Sequence, residues 1–283
     1  MRFTRPEADF FVPDQAPPEQ ALARATHLGI GAHQDDLEFM AFSAIEECCG
    51  RDDLWFAGVT VTDGGGSARS GPYASFSDEE MKAVRRREQR KAAVVGDYAC
   101  QIQLAWPSAA VKDAAVTAVV DDLERILRAA RPRTVFLHNP ADKHDTHVAC
   151  CLRGIAALRR LAPEERPARV YGCEVWRSLD WLLDSDKVVL PVDRRPNLAA
   201  ALAGVFDSQL SGGKRYDLAI HGRWRANATL FESHEVDRST GLAWAMDLSP
   251  LLREPAPAVA ELVLEHLERL RRDVVERLRR LGG

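Results

Sequence analysis

The feature that most restricts this chain is a regular alternation of short apolar runs with segments of helical periodicity. HLGIGAH (27–33) reads as a buried strand, with a helix over 37–49 after it. LWFAGVTVT (54–62) reads as a second strand. Ser77-Asp-Glu-Glu80 forms a capping box that opens a long helix to Val95. ACQIQLAW (99–106) is strand-like, 113–130 helical, TVFLHNP (134–140) a strand and 146–161 a helix; RVYGCEVW (169–176) and KVVLPV (187–192) add strands. Strands alternating with helices predict an α/β fold: a Rossmann-like, mostly parallel sheet flanked by helices on both faces.

Around this repeat we expect three parts. Residues 1–25, rich in proline and charge, form an N-terminal arm, and 26–250 form the main domain. Residues 251–283 form a C-terminal helix whose Val263, Leu267, Leu270, Val274, Leu278 and Leu281 make an apolar seam. That seam either packs back on the domain or makes a dimer contact, so a homo-oligomer is among the expectations. The glycine-rich connection 62–77 lacks apolar periodicity and reads as a flap over a site.

Composition narrows the function classes. Thirty-eight basic and 42 acidic residues give a net charge of −4, which does not favour nucleic acid as a partner. The first 20 residues lack the apolar core of a signal peptide, and no run approaches a membrane span. Cys48, Cys49, Cys100, Cys150, Cys151 and Cys173 contain no C-x-x-C pair, so they are expected as reduced thiols in a cytoplasmic protein. No G-x-G-x-x-G follows the first strand, which argues against a dinucleotide site.

Two chemically dense clusters each follow a predicted strand. One is His33-Gln34-Asp35-Asp36-Leu37-Glu38, the other His138-Asn139-Pro140-Ala141-Asp142-Lys143-His144-Asp145-Thr146-His147. Loops at the carboxyl ends of parallel strands converge where the strand order switches, although 114 positions separate His33 from His147. A hydrolytic metal centre needs about three protein ligands and one open position, with a carboxylate base and an acid for the leaving amine. These clusters supply that inventory. Each alone has a plainer reading, because aspartate is a common helix cap and a strand-end histidine is commonly a core residue. Both together favour a site.

The clusters resemble the motifs of the PIG-L/LmbE-like deacetylases, which remove acetyl groups from N-acetylglucosamine-containing compounds. The first family motif, A-H-P-D-D-E, is similar to Ala32 to Glu38; the second, P-x-D-x-H-P-D-H, is similar to Pro140 to His147. Thr62-Asp63-Gly64 and the helix pattern Arg85…Glu88…Ala92…Gly96 extend the likeness over roughly residues 25–235.

The resemblance implies a zinc-dependent N-deacetylase (or one using another divalent metal) acting on a small amino-sugar conjugate. It implies His33, Asp36 and His147 as metal ligands, Asp35 as general base, and His144 as oxyanion stabiliser and proton donor. Three positions depart from the family: Gln34 replaces proline, Asp145-Thr146 replaces Pro-Asp, and Thr62-Asp63-Gly64-Gly65-Gly66 lacks the acidic residue that the family often has in that loop. With that aspartate gone, Asp142 and Thr146 are the candidates to support the histidines from behind. Arg69 is a candidate substrate contact, with a merely exposed arginine as its plain alternative. Asp207-Ser208-Gln209 partly matches a family His-Ser-Gln. The polar run 221–234, beside Trp224 and Phe231, is a candidate far wall of the pocket. Two other readings remain: a metal hydrolase of a different amide or ester, and an inactive binding relative.

Overall fold

The six predicted strands and two that the sequence reading did not anticipate, at residues 9–11 and 242–247, assemble into one eight-stranded sheet in a computed structural model that describes residues 1–283. The strands are β1 (Asp9–Phe11), β2 (His27–Gly31), β3 (Phe56–Thr62), β4 (Cys100–Trp106), β5 (Thr134–His138), β6 (Arg169–Cys173), β7 (Lys187–Pro191) and β8 (Leu242–Asp247). Their order is β1-β4-β3-β2-β5-β6-β8-β7. Strands β2 to β6 run parallel, while β1, on β4, and β8, between β6 and β7, pair antiparallel. The chain builds outward from β2 through β3 to β4, then returns to place β5 on the other side of β2. That reversal opens a crevice between the carboxyl ends of β2 and β5.

The helices are α1 (Pro18–Ala23), α2 (Asp36–Met40), α3 (Phe42–Cys48), α4 (Asp78–Val95), α5 (Ser108–Lys112), α6 (Ala118–Ala130), α7 (Asp145–Arg159), α8 (Pro196–Val205), α9 (Asp207–Leu210), α10 (Tyr216–Leu230) and α11 (Val259–Arg280). The two-residue period of a strand divides the core. Leu28, Ile30, Val59, Val135 and Leu137 face α1, α6 and α7. Phe56 and Phe136 face the opposite layer, with Leu37, Phe42, Ala92 and Trp224 from α2, α3, α4 and α10. At Gly29 an added Cβ would stand 2.9 Å from Leu37, so the missing side chain lets α2 settle on β2.

Local differences from the sequence reading have local causes. The helix expected over 37–49 is divided at Ala41, whose φ of −116° and ψ of 16° leave the helical region. The helix expected from 113 starts at Ala118, because the Asp113 carboxylate accepts the Ala115 N–H and forms a turn instead. Ser77 caps α4 as the reciprocal box expected. Residues 9–11 join the sheet as an edge strand on β4. The seam of α11 lies largely uncovered: Leu262 and His266 are buried, but Leu267 is 44% and Leu278 56% exposed.

Candidate metal centre

His33 and Asp35 occupy the turn between β2 and α2, and Asp36 begins α2; His144 ends the turn from β5, and His147 lies in the first turn of α7. Both turns open on the crevice at the strand-order switch. There His33 Nδ1 stands 3.2 Å from His147 Nε2. The Asp36 carboxylate places Oδ2 3.3 Å from His33 Nδ1 and Oδ1 3.4 Å from His147 Nε2. Ligands about 2.0–2.1 Å from a tetrahedral ion stand about 3.3 Å apart, so the three separations fit one divalent cation. Two imidazole nitrogens and a carboxylate oxygen are also a donor set that suits zinc.

The surroundings prepare those donors. Burial pushes the His147 imidazole down to about 4, so the ring is neutral and keeps a lone pair. Asp142 Oδ2 lies 3.4 Å from His147 Nδ1, which fixes the proton there and turns Nε2 towards the site. Asp142 also accepts the backbone N–H groups of His144 at 3.1 Å and Trp176 at 3.2 Å. Burial opposes ionisation of Asp36, but the imidazoles of His147 and His138 and its hydrogen bonds hold its carboxyl well below the usual range. One of those bonds is the His33 N–H, 2.6 Å from Oδ2.

Asp35 sits beside this group with a φ of 90°, a conformation that costs about 1–3 kcal/mol in a non-glycine residue. Its carboxylate lines the cavity and lies 3.3 Å from Arg85 Nη2. Burial raises it to about 7, with Asp36 adding to the rise and Arg85 opposing it. The ring of His144 lies 5.1 Å from that of His33 and 4.5 Å from that of His147, centroid to centroid. Burial and the neighbouring His33 imidazole lower its pKa.

The cavity holds about 730 Å³ and is lined by Asp35, Asp36, His33, His144 and Thr146. Phe39, Trp176 and Tyr216 supply its aromatic wall. Trp224 and Phe231 lie elsewhere: Trp224 packs on Phe42 and Phe231 on Trp244, both in the core layers. The polar run contributes Arg223 to the cavity, next to Ala219 and Ile220. In the Asp207–Gln209 segment, Ser208 binds Glu88 and Gln209 lines the cavity.

Arg69 is not brought to the cavity. Its guanidinium is taken up by the carbonyls of Phe76 and Gly65 and the carboxylate of Asp78, which pins the glycine-rich loop to the start of α4. Thr146 lines the cavity without a side-chain partner, and His144 Nδ1 is likewise unpartnered, so Thr146 does not orient that ring. Gln34, in place of the family proline, binds the Thr62 carbonyl at 3.3 Å and Gln103 at 3.2 Å. It thereby ties the metal-ligand turn to β3 and β4. Gly64 meets Gln34 with a φ of +76°, and a Cβ there would stand 2.5 Å from Gln34 Oε1.

One position, Trp176, escaped the sequence reading, and another, His138, takes a supporting part. His138, expected as a core or supporting residue, stacks on His147 with ring centroids 3.9 Å apart. It also belongs to a second close triple with Asp142 and His147. There His138 Nε2 accepts the Ala32 N–H and Asp142 accepts the two backbone N–H groups already named, so this triple is the supporting layer. Trp176 lies three residues beyond the end of β6, on the rim where strand ends meet the crevice; that placement was its only signal.

Fold and site together define an α/β chain with a histidine–aspartate centre at the switch point of a parallel sheet. Residues 28–158 match the PIG-L family model, described as GlcNAc-PI de-N-acetylase. No curated protein matches the sequence. Among solved structures, the conserved protein TT1542 from Thermus thermophilus superposes with a TM-score of 0.61 at 19% identity, covering 83% of this chain and 99% of that one. The 4-carboxy-2-hydroxymuconate hydratase GalB from Pseudomonas putida gives 0.62 at 16% identity, covering 79% and 96%. The N,N'-diacetylchitobiose deacetylase from Pyrococcus horikoshii gives 0.53 at 18% identity, covering 77% and 82%. These likenesses establish the fold.

Proposed function

We propose that this chain is a metal-dependent hydrolase, with zinc as the ion, that removes an N-acetyl group from an amino-sugar conjugate. The observation that carries the reading is the convergence of His33, Asp36 and His147 at 3.2–3.4 Å, beside a cavity that His33, Asp35, Asp36 and His144 line. Because a hydratase shares the fold, fold alone does not choose the reaction. The family match over 28–158 and the deacetylase among the structural neighbours support the N-deacetylase choice.

A divalent cation held by His33, Asp36 and His147 supplies Lewis acidity, polarising an acyl oxygen and acidifying water. Asp35 takes the proton of the attacking water, and a carboxyl raised to about 7 can accept and release it near neutral pH. Arg85 holds that carboxylate in place. His144 steadies the oxygen of the tetrahedral adduct and delivers a proton to the departing amine, so acetate and a free amino sugar leave. The wall of Phe39, Trp176 and Tyr216 suits the apolar face of a pyranose ring.

The test is metal analysis of the purified protein combined with an acetate-release screen over N-acetylglucosamine conjugates. Stoichiometric metal with acetate release supports the proposal. A metal-free protein, or a loaded one that releases no acetate from any conjugate, overturns it.

A further inference from the structure

Helix α11 carries two apolar lines, and only one of them is covered. Leu262 and His266 are buried against the domain, with Val263 and Leu270 half-buried beside them. About a third of a turn further round the helix stand Leu264, Leu267, Arg271, Val274, Leu278 and Leu281. Leu264 is 61%, Val274 44% and Leu281 76% exposed. Of the thirteen large apolar side chains that the molecule exposes, five lie on this second line. Its spacing alternates three and four residues throughout, which is the seam along which two helices pack. Arg271 alone interrupts it, and Glu268 on the same helix holds its guanidinium at 2.7 and 2.8 Å. The charge is thereby compensated, and the apolar stem of Arg271 stays free to lie along a partner.

The charges of α11 are divided between its halves. Residues 259–269 carry three glutamates and one arginine; residues 270–280 carry five arginines, one aspartate and one glutamate. Asp273 pairs with Arg277 along the helix, as Glu268 does with Arg271. Glu265 and Arg279, which follow Leu264 and Leu278 on the same flank of the open line, pair with nothing within 4.0 Å. An acidic half and a basic half on one helix are complementary to a second copy of that helix turned end for end. A parallel copy would set glutamates beside glutamates and arginines beside arginines. The acidic half also counts against an anionic lipid surface as the occupant.

We propose that α11 is the contact surface for a second copy of this chain, with the two helices antiparallel about a two-fold axis. Leu264 and Leu267 of one copy then meet Leu281 and Leu278 of the other, and the Arg271 stem lies on Val274. Glu265 faces Arg279 at two symmetric places. Arg272 meets its own counterpart near the axis, a like-charge contact that weakens the pair. A single pair of helices about 33 Å long falls at the low end of interface sizes, so the dimer dissociates on the order of 10 μM.

Sedimentation equilibrium of the full chain tests the surface. The wild type should pass from monomer to dimer as its concentration rises through that range. Leu267→Ser/Leu278→Ser alters only side chains that are exposed in the single chain. Its urea midpoint, read where the wild type is monomeric, should hold, while dimerisation weakens at least about a hundredfold. Glu265→Arg should weaken the pair about tenfold, by opposing two arginines at both symmetric places. Adding Arg279→Glu should restore it to within about twofold. A chain that is monomeric at every concentration, or a dimer that survives the double serine variant with its fold intact, overturns the surface. A dimer that the charge exchange fails to restore overturns the antiparallel pairing. A monomer that instead sediments with phosphatidylserine vesicles gives the open line to a membrane, and overturns the proposal as well.

Discussion

His138 lies flat against His147, with ring planes 18° from parallel, while its Nε2 accepts the Ala32 N–H at 2.9 Å. One buried ring thus fixes both a metal-ligand candidate and the backbone that leads to His33. Replacing it with a ring of similar shape, His138→Phe, preserves the stacking surface but leaves the Ala32 N–H unpaired. The expected cost is about 1–3 kcal/mol of stability, read by urea unfolding. Metal affinity, read by chelator competition, should fall about tenfold or more. A variant unchanged in both would show that His138 is only filler.

Base and ligand roles separate by measurement. Asp35→Asn leaves His33, Asp36 and His147 in place and should bind metal as the wild type does while losing about 10²–10⁴-fold in kcat. Asp36→Ala and His147→Ala should instead lose the metal, because each removes one of the three converging donors. Metal content by emission spectroscopy beside acetate release distinguishes the two outcomes. Normal turnover in Asp35→Asn would remove the base assignment.

Arg69 holds a loop, not a ligand. Its contacts to Gly65, Phe76 and Asp78 close the glycine-rich segment on α4. Arg69→Ala should therefore speed limited proteolysis between residues 64 and 76 several-fold, since local opening becomes easier. A rise in KM beyond about tenfold, with loop cleavage unchanged, would return Arg69 to the substrate.

How far the sequence could be read depends on the range of the interactions involved. Parallel strands such as β2 and β5 are buried on both faces and appear as apolar runs, so the sheet and its switch point followed from local patterning. The two motif clusters were legible because their chemistry is unusual at strand ends. Arg69 was not, because two of its three partners are backbone carbonyls that carry no residue signature. The three-residue β1 was missed because an edge strand so short has no periodicity to count, and its pairing with β4 is non-local. Trp224, expected at the pocket wall, packs in the core, and Trp176, given no role, lines the cavity, for a similar reason. Whether an aromatic ring meets core or cavity is decided by helix rotation and loop path, which composition does not encode.

Glu46, on α3, gives a pH-dependent test of the core that lies away from the metal ligands. Its side chain is buried, with Oε2 accepting the Arg195 N–H at 3.1 Å and Oε1 unpartnered, 3.8 Å from Arg194 Nε. Burial raises its pKa from 4.5 to about 6, with the Arg195 hydrogen bond and the Arg194 charge opposing the rise. Below pH 4.5 the group is protonated in both states and favours neither. Between that value and about 6 the unfolded chain ionises first, so stability falls as pH rises, and above about 6 the loss is complete. A shift of that size corresponds to about 2 kcal/mol. Glu46→Gln keeps an acceptor for the Arg195 N–H and carries no titrating proton. Relative to the wild type it should gain about 2 kcal/mol in urea-unfolding stability between acidic and mildly alkaline pH. A difference between the two proteins that stays constant across that range would mean that the Glu46 carboxyl is solvated in the folded chain.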